Sequence, residues 1–144
     1  MAAPRTVSRS TVVAASPQEV FELLATPARH PELDGSGTVK KPVRGPARLS
    51  SGARFGMQMK IAVPYLITNT VVEFEEGKRI AWRHFGRHVW RYELEPVAGG
   101  TRVTETFDWS RALSPQALEL ARIPARNAKS IEKTLPRLKA LAEG

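Results

Sequence analysis

Glu105 is the residue whose type and position most suggest chemistry, because it falls among apolar residues on one strand face. The Gly99-Gly100 pair predicts a tight hairpin turn, which fixes the register of the two flanking strands. In that register Tyr92 lies opposite Glu105, and the two side chains share one face. That face otherwise carries Trp90, Leu94, Val103 and Phe107, whereas the other face carries Arg91, Glu93, Glu95, Arg102, Thr104 and Asp108.

A carboxylate on an apolar face has two interpretations. Burying an unpaired charge is costly, so such a group is paired, hydrogen-bonded or protonated. Glu105 is therefore either a ligand anchor or general acid/base, or a core carboxylate satisfied by Tyr92, a backbone amide or an arginine. A different strand register would instead place it in solvent.

Tyr92 and His84 are the other candidates for proton transfer. Of the three histidines, only His84 is predicted to share the aromatic face; its imidazole could exchange a proton near neutral pH or could be purely structural. The histidines lack metal-ligand spacing and accompanying carboxylates, so neither a metal nor a cofactor is predicted. The chain also has no nucleophile elbow, phosphate-binding glycine loop or dinucleotide fingerprint.

Aromatic and methionine side chains supply the apolar material of the predicted site. Trp82 alternates with Ile80 and His84, and joins the same face if a bulge near Gly86 adjusts the register. Met57 and Met59 alternate with Phe55 and Ile61 on another strand, and methionine suits irregular cavities. Each of these residues is equally compatible with ordinary core packing.

The elements that position these residues follow from their periodicity. Strands are predicted over 5–15, 38–43, 54–61, 65–75, 79–85, 88–96 and 101–109, with a mobile loop over 44–52. Ser16-Pro17 and Thr26-Pro27 each open a short helix, the second ending near Leu33. Ser114-Pro115 opens the last helical region, which we expect Pro124 to break or kink and Pro136 to kink.

The last helix, from about Ala125, carries two stripes. Apolar residues recur at helical spacing, and a basic stripe lies on the opposite side, where it should face water. The apolar stripe is Ala128, Ile131, Leu135, Leu138 and Ala142; the basic stripe is Arg122, Arg126, Lys129, Lys133 and Arg137.

These elements predict an α+β fold in a single domain spanning residues 1–144. The short links between strands require antiparallel neighbours, so a curved sheet of six or seven strands faces one long helix. One helix cannot fill the concave side of such a sheet. The gap left between them, lined by apolar side chains, is a natural place for a small ligand.

The composition of the chain limits the cellular compartments and the classes of binding partner that we expect. The chain has no cysteine, no apolar run that would span a bilayer and no signal peptide, so a cytoplasmic location is expected. Its net charge is +8, but the basic residues are scattered, which argues against nucleic acid as a partner. Transient membrane contact, and a monomer or homodimer, stay open.

Three stretches carry a family resemblance. They are Arg79-Ile80-Ala81-Trp82-Arg83, Trp90 to Pro96 and Gly99 to Phe107, together with the opening Val12–Ser16 strand and Pro17-x-Glu19-Val20-Phe21. Over nearly its whole length the chain resembles the START-like, pollen-allergen-like helix-grip superfamily, and within it the bacterial polyketide cyclase/dehydrase and lipid-transport group. Leu33 departs from the pattern, because relatives often carry an aromatic residue there.

The resemblance implies a carrier or sensor of a hydrophobic small molecule such as a lipid, polyketide or aromatic metabolite. The alternative is a polyketide aromatase/cyclase or dehydratase using Glu105, Tyr92 or His84, and an interaction module driven by positive charge is the third possibility. The predicted ligand-binding residues are Phe55, Met57, Met59, Trp82, Trp90, Tyr92, Glu105, Phe107, Ala128, Ile131 and Leu135.

Overall fold

A single antiparallel sheet of seven strands organises the molecule. The computed structural model describes residues 4–144. In chain order the strands are β1 (Thr6–Val13), β2 (Val39–Arg44), β3 (Arg54–Lys60), β4 (Pro64–Glu75), β5 (Arg79–Arg83), β6 (Val89–Val97) and β7 (Gly100–Asp108). Their order across the sheet is β1-β7-β6-β5-β4-β3-β2, so β1 and β2 form its two edges. The predicted α+β class and the strand count are confirmed.

Four helices lie between and after the strands. They are α1 (Pro17–Ala25), α2 (His30–Leu33), α3 (Pro115–Leu120) and α4 (Ile123–Glu143), with a short 3₁₀ turn at Pro27–Arg29. The Ser16 hydroxyl accepts a bond from the Glu19 amide, and Ser114 caps α3 in the same way, as the serine-proline pairs predict. The sequence thus marks both helix starts by satisfying otherwise unpaired amides.

The β6–β7 hairpin has the predicted register, with Tyr92 opposite Glu105 and Trp90 opposite Phe107. Gly100 lies at φ +148°, and a Cβ there would come within 2.0 Å of the Val13 carbonyl oxygen. Only glycine therefore lets the hairpin pass so close to the end of β1. This turn fixes which residues of both strands face the concave side.

The break expected near Pro124 is confirmed: α3 ends at Leu120, Arg122 takes a left-handed conformation at φ 58°, and Pro124 lies in the first turn of α4. The expectation of a bulge near Gly86, in contrast, was wrong. The β5–β6 pairing is regular and needs no bulge near Gly86; the irregularity lies instead in β4, between Val71 and Glu73.

The loop over 44–52, expected to be mobile, is anchored. Leu49 is fully buried, and its amide donates to the Ala25 carbonyl at 2.7 Å. Beside it, Arg48 pairs with both Glu22 and Glu76. A buried leucine thus holds the loop against α1.

Helix α4 packs against β1 and β7, at one side of the sheet rather than over its centre. Ile131, Leu135 and Leu138 are buried there together with Val103 and Phe107. Because the apolar stripe of α4 packs against β1 and β7, the helix leaves the concave face of β3 to β6 partly uncovered.

The opposite edge of the sheet is irregular. Strand β2 pairs with β3 through two register shifts, one between Val39 and Lys41 and one between Pro42 and Arg44. Lys40, Lys41 and Pro42 are all exposed. No helix within residues 4–144 is long and apolar enough to span a membrane; the cytoplasmic location stays a prediction.

Candidate functional site

A cavity of about 840 Å³ lies between the concave face of the sheet and helices α2 and α4. Its volume falls in the range of pockets that enclose small organic ligands. Two of its surfaces differ in composition. The sheet wall is formed by Phe55, Met57, Met59, Trp82, Trp90, Tyr92 and Glu105, and the helix wall by Arg126, Asn127, Lys129, Ser130, Lys133 and Thr134.

The sheet wall is an aromatic surface held by ring-to-ring contacts. Trp82 meets Phe55 edge-on at 5.7 Å between ring centroids and lies 5.7 Å from Tyr92. Trp82 and Trp90 are directly paired across β5 and β6, which puts both indoles on the concave face. All seven residues of this wall were predicted from the sequence as ligand-binding candidates.

Glu105 is the charged residue type in this wall, and only one of its two carboxylate oxygens has a hydrogen-bond partner within the described residues. One carboxylate oxygen, Oε2, accepts a hydrogen bond from the Tyr92 hydroxyl at 2.9 Å. The other, Oε1, is buried without a hydrogen-bond partner in the described part of the chain. Burial raises the pKa of Glu105 to about 8, the charge of Asp34 adds to the rise, and the bond from Tyr92 opposes it. Near pH 7 this carboxyl is therefore mostly protonated.

All three histidines line the cavity, whereas only His84 was expected to. His30 stacks on Trp82 with 5.0 Å between ring centroids, and its Nε2 donates to the Leu24 carbonyl at 2.8 Å. Burial lowers the pKa of His30 to about 4, so its ring is neutral. Because His30 lies in a helix of only four residues, the sequence has no periodic pattern there that could predict which way its side chain faces.

His84 and His88 form an edge-to-face pair at the β5–β6 turn, with 4.1 Å between centroids. His84 Nδ1 accepts from the Gly86 amide, whereas His88 Nδ1 is buried with no partner in residues 4–144. Burial lowers the pKa of both, that of His88 to about 4 with a contribution from His84. His88 could have been found from the sequence, because it precedes Trp90 by two residues.

The helix wall differs from the predicted one. Ala128, Ile131 and Leu135 are buried in the core and do not line the cavity, and the same is true of Phe107. The reason is the lateral placement of α4, whose apolar stripe turns toward β1 and β7. The face turned to the cavity is the polar flank of the helix.

The basic stripe of α4 is exposed to solvent, as predicted, but part of it also borders the cavity. Arg126, Lys129 and Lys133 are exposed to solvent, yet they line the cavity instead of facing away from it. Arg137 is turned aside, and its guanidinium donates to the Asp34 carbonyl at 2.8 Å. Three cations therefore lie along one edge of the cavity.

Two asparagines in the cavity lining were missed. Asn69 on β4 and Asn127 on α4 are both buried, and neither side chain makes a hydrogen bond within the described residues. The available signal was Asn69's place on a strand between Ile67 and Val71, and Asn127's place directly before the apolar stripe.

Apolar side chains surround the mouth of the cavity. Ile61, Leu66 and Phe85 line it while remaining 63%, 61% and 83% exposed. They come from the β3–β4 hairpin and the β5–β6 turn. Leu33, aliphatic where relatives often carry an aromatic residue, lines the inner side.

Comparison with known proteins agrees with this geometry. Residues 4–143 match the family described as polyketide cyclase/dehydrase and lipid transport. The chain is 41% identical over 143 residues to the uncharacterised protein Rv0088 of Mycobacterium tuberculosis strain H37Rv, covering 95% of this chain. It spans only 64% of that relative's length.

Solved structures share the fold at low identity. Protein CV1439 of Chromobacterium violaceum superposes with a TM-score of 0.76 at 20% identity, covering 98% of this chain and 99% of that one. An AHSA1-like protein of Aeromonas hydrophila gives a TM-score of 0.66 at 15% identity, covering 96% and 95%. At these identities the likeness concerns the fold alone.

Proposed function

Because the chain belongs to the polyketide cyclase/dehydrase and lipid-transport family, we propose that it binds a hydrophobic small molecule in the cavity between the sheet and α4. The observation that carries this proposal is the cavity of about 840 Å³ with an aromatic and methionine wall. A lipid, a polyketide or another aromatic metabolite fits such a surface, since non-directional apolar contact tolerates many shapes.

Native mass spectrometry of gently purified protein tests this proposal directly. A co-purified organic molecule is the expected result, and an apolar library compound should raise the melting temperature. Absence of both would contradict the proposal. Trp82→Ala and Trp90→Ala should weaken any binding found, whereas Trp109→Phe is the matched control because Trp109 does not line the cavity.

A second candidate function is favoured by the unpaired Oε1 of Glu105. A protonated carboxyl beside Tyr92 on the cavity wall could donate a proton to a poly-β-keto chain, as an aromatase/cyclase or dehydratase requires. His84 stays a further candidate for this role, as it lines the same cavity. Glu105→Gln should then abolish turnover while retaining binding, and equal turnover by this variant would exclude proton transfer by Glu105.

A further inference from the structure

The cations of the helix wall make no ion pairs within residues 4–144, although several cations elsewhere in the protein do. Arg9 pairs with Glu132, and Arg91 pairs with Glu73 and Asp108. By contrast, no carboxylate in residues 4–144 forms an ion pair with the side chains of Arg126, Lys129 or Lys133. The three recur at intervals of three and four residues, so they form one row along the cavity edge.

The cavity has little negative charge to balance this row. Its only carboxyl groups, among the described residues, are Asp34 and Glu105. Asp34 is already engaged, since its carboxylate accepts from the Ser36 hydroxyl and the Val39 amide. Glu105 is mostly protonated near pH 7, and the lowered pKa values of the histidines keep them neutral. Three cations less one carboxylate leave two positive charges in excess.

A second observation independently marks the helix wall as a polar binding surface. Asn127 is only 7% exposed and lines the cavity, and its side-chain amide makes no hydrogen bond with residues 4–144. An amide at a cavity surface can bond to water or to a ligand. Ser130 and Thr134 continue the same polar flank at helical spacing. The amide of Asn127 could donate to an anionic oxygen held by the neighbouring cations.

From these features we propose that the ligand is an amphipathic anion. Its carboxylate or phosphate head lies on the helix wall, at Arg126, Lys129, Lys133 and Asn127. Its hydrocarbon or aromatic body lies on the sheet wall, against Met57, Met59, Trp82 and Trp90. This assignment rests on the proposed binding function and adds the chemical class and the orientation of the ligand.

Ligands of matched chain length separate the two parts of this proposal. Dodecanoate, dodecyl phosphate, dodecan-1-ol and dodecylammonium share one apolar body and differ in the head group. Their dissociation constants would be measured below micelle formation, at pH 7 and low salt, by titrating the fluorescence of Trp82 and Trp90. We expect the anions to bind about 10-fold more tightly than the alcohol, and dodecylammonium to bind most weakly. A preference for one anion over the other distinguishes a carboxylate source from a phosphate source.

Charge reversal on the helix wall gives the decisive variant. Lys129→Glu with Lys133→Glu should remove the preference for anions while leaving the affinity for dodecan-1-ol unchanged. Lys78→Glu with Arg102→Glu is the matched control, because it makes the same change in net charge outside the cavity. Circular dichroism establishes that each variant is folded, and Lys129→Gln with Lys133→Gln replaces the reversal if it is not.

The outcomes separate the inference from the function on which it rests. Equal affinity for the anions and the alcohol, or an anion preference that survives the helix-wall reversal, overturns the inference and leaves hydrophobic binding standing. Failure of all four ligands to bind counts against both. A preference lost in the helix-wall variant and kept in the control supports the proposed head-group site.

Discussion

The two walls of the cavity differ in chemistry. The sheet wall is aromatic, and its side chains pack on one another as well as facing the cavity. The helix wall is polar, and its cations and Asn127 have no ion-pair or side-chain hydrogen-bond partners within residues 4–144. Helix α4 stabilises the fold with one face, through Ile131, Leu135 and Leu138, and presents another to the cavity. Stability and recognition are thus divided between two faces of one helix.

The largest expected effect is on the free energy of unfolding, and it is tested by comparing two adjacent residues of α4. Ile131→Ala removes a fully buried side chain and should lower the free energy of unfolding by about 2–5 kcal/mol. Ser130→Ala, on the helix wall, should change it by about 0.5 kcal/mol or less. Urea unfolding followed by circular dichroism measures both, and equal losses would mean that the two faces of α4 are not distinct.

A pH series tests the carboxyl group of the sheet wall, Glu105. Because the pKa of Glu105 is about 8 in the folded chain and near 4.5 unfolded, only the unfolded state releases this proton between those values. This group should therefore lower stability progressively as pH rises from about 5 to 8, by a few kcal/mol in total. Relative to wild type, Glu105→Gln should lack that decline. Parallel unfolding curves for the two proteins across this range would show that Glu105 titrates normally.

Removing an indole from the sheet wall should affect binding more than folding. Trp90 is half-buried and borders the cavity, so Trp90→Ala should weaken binding of an apolar ligand about 10-fold, or about 1.4 kcal/mol. Isothermal titration calorimetry with dodecan-1-ol measures the change. An unchanged affinity would place the ligand elsewhere.

The smallest expected effect has the opposite sign. Asn127→Leu replaces an amide at the cavity surface, which makes no hydrogen bond with residues 4–144, by an apolar side chain, and should raise the free energy of unfolding by roughly 1 kcal/mol. The same variant should bind dodecanoate less tightly, because the head group loses a donor. A destabilised Asn127→Leu protein would indicate that the amide is satisfied in solution.

The sheet wall could be predicted from the sequence because its period is short and its register is fixed locally. Once Gly99-Gly100 sets the hairpin, the facing of Trp90, Tyr92 and Glu105 follows from alternation alone. The helix wall could not be predicted in this way. Periodicity identified the apolar stripe containing Ile131, but not the strands on which that stripe would pack. The lateral position of a helix on a sheet depends on the volumes of many side chains at once.

The two register shifts in β2 also have a consequence for how the molecule behaves at high concentration. An open sheet exposes unpaired backbone amides and carbonyls at its rim, and another chain could add a strand there. Three features of β2 oppose such pairing: the charges of Lys40 and Lys41, the missing backbone amide donor of Pro42, and the irregular hydrogen-bond ladder. Lys40 and Lys41 should therefore help to keep neighbouring copies from joining edge to edge.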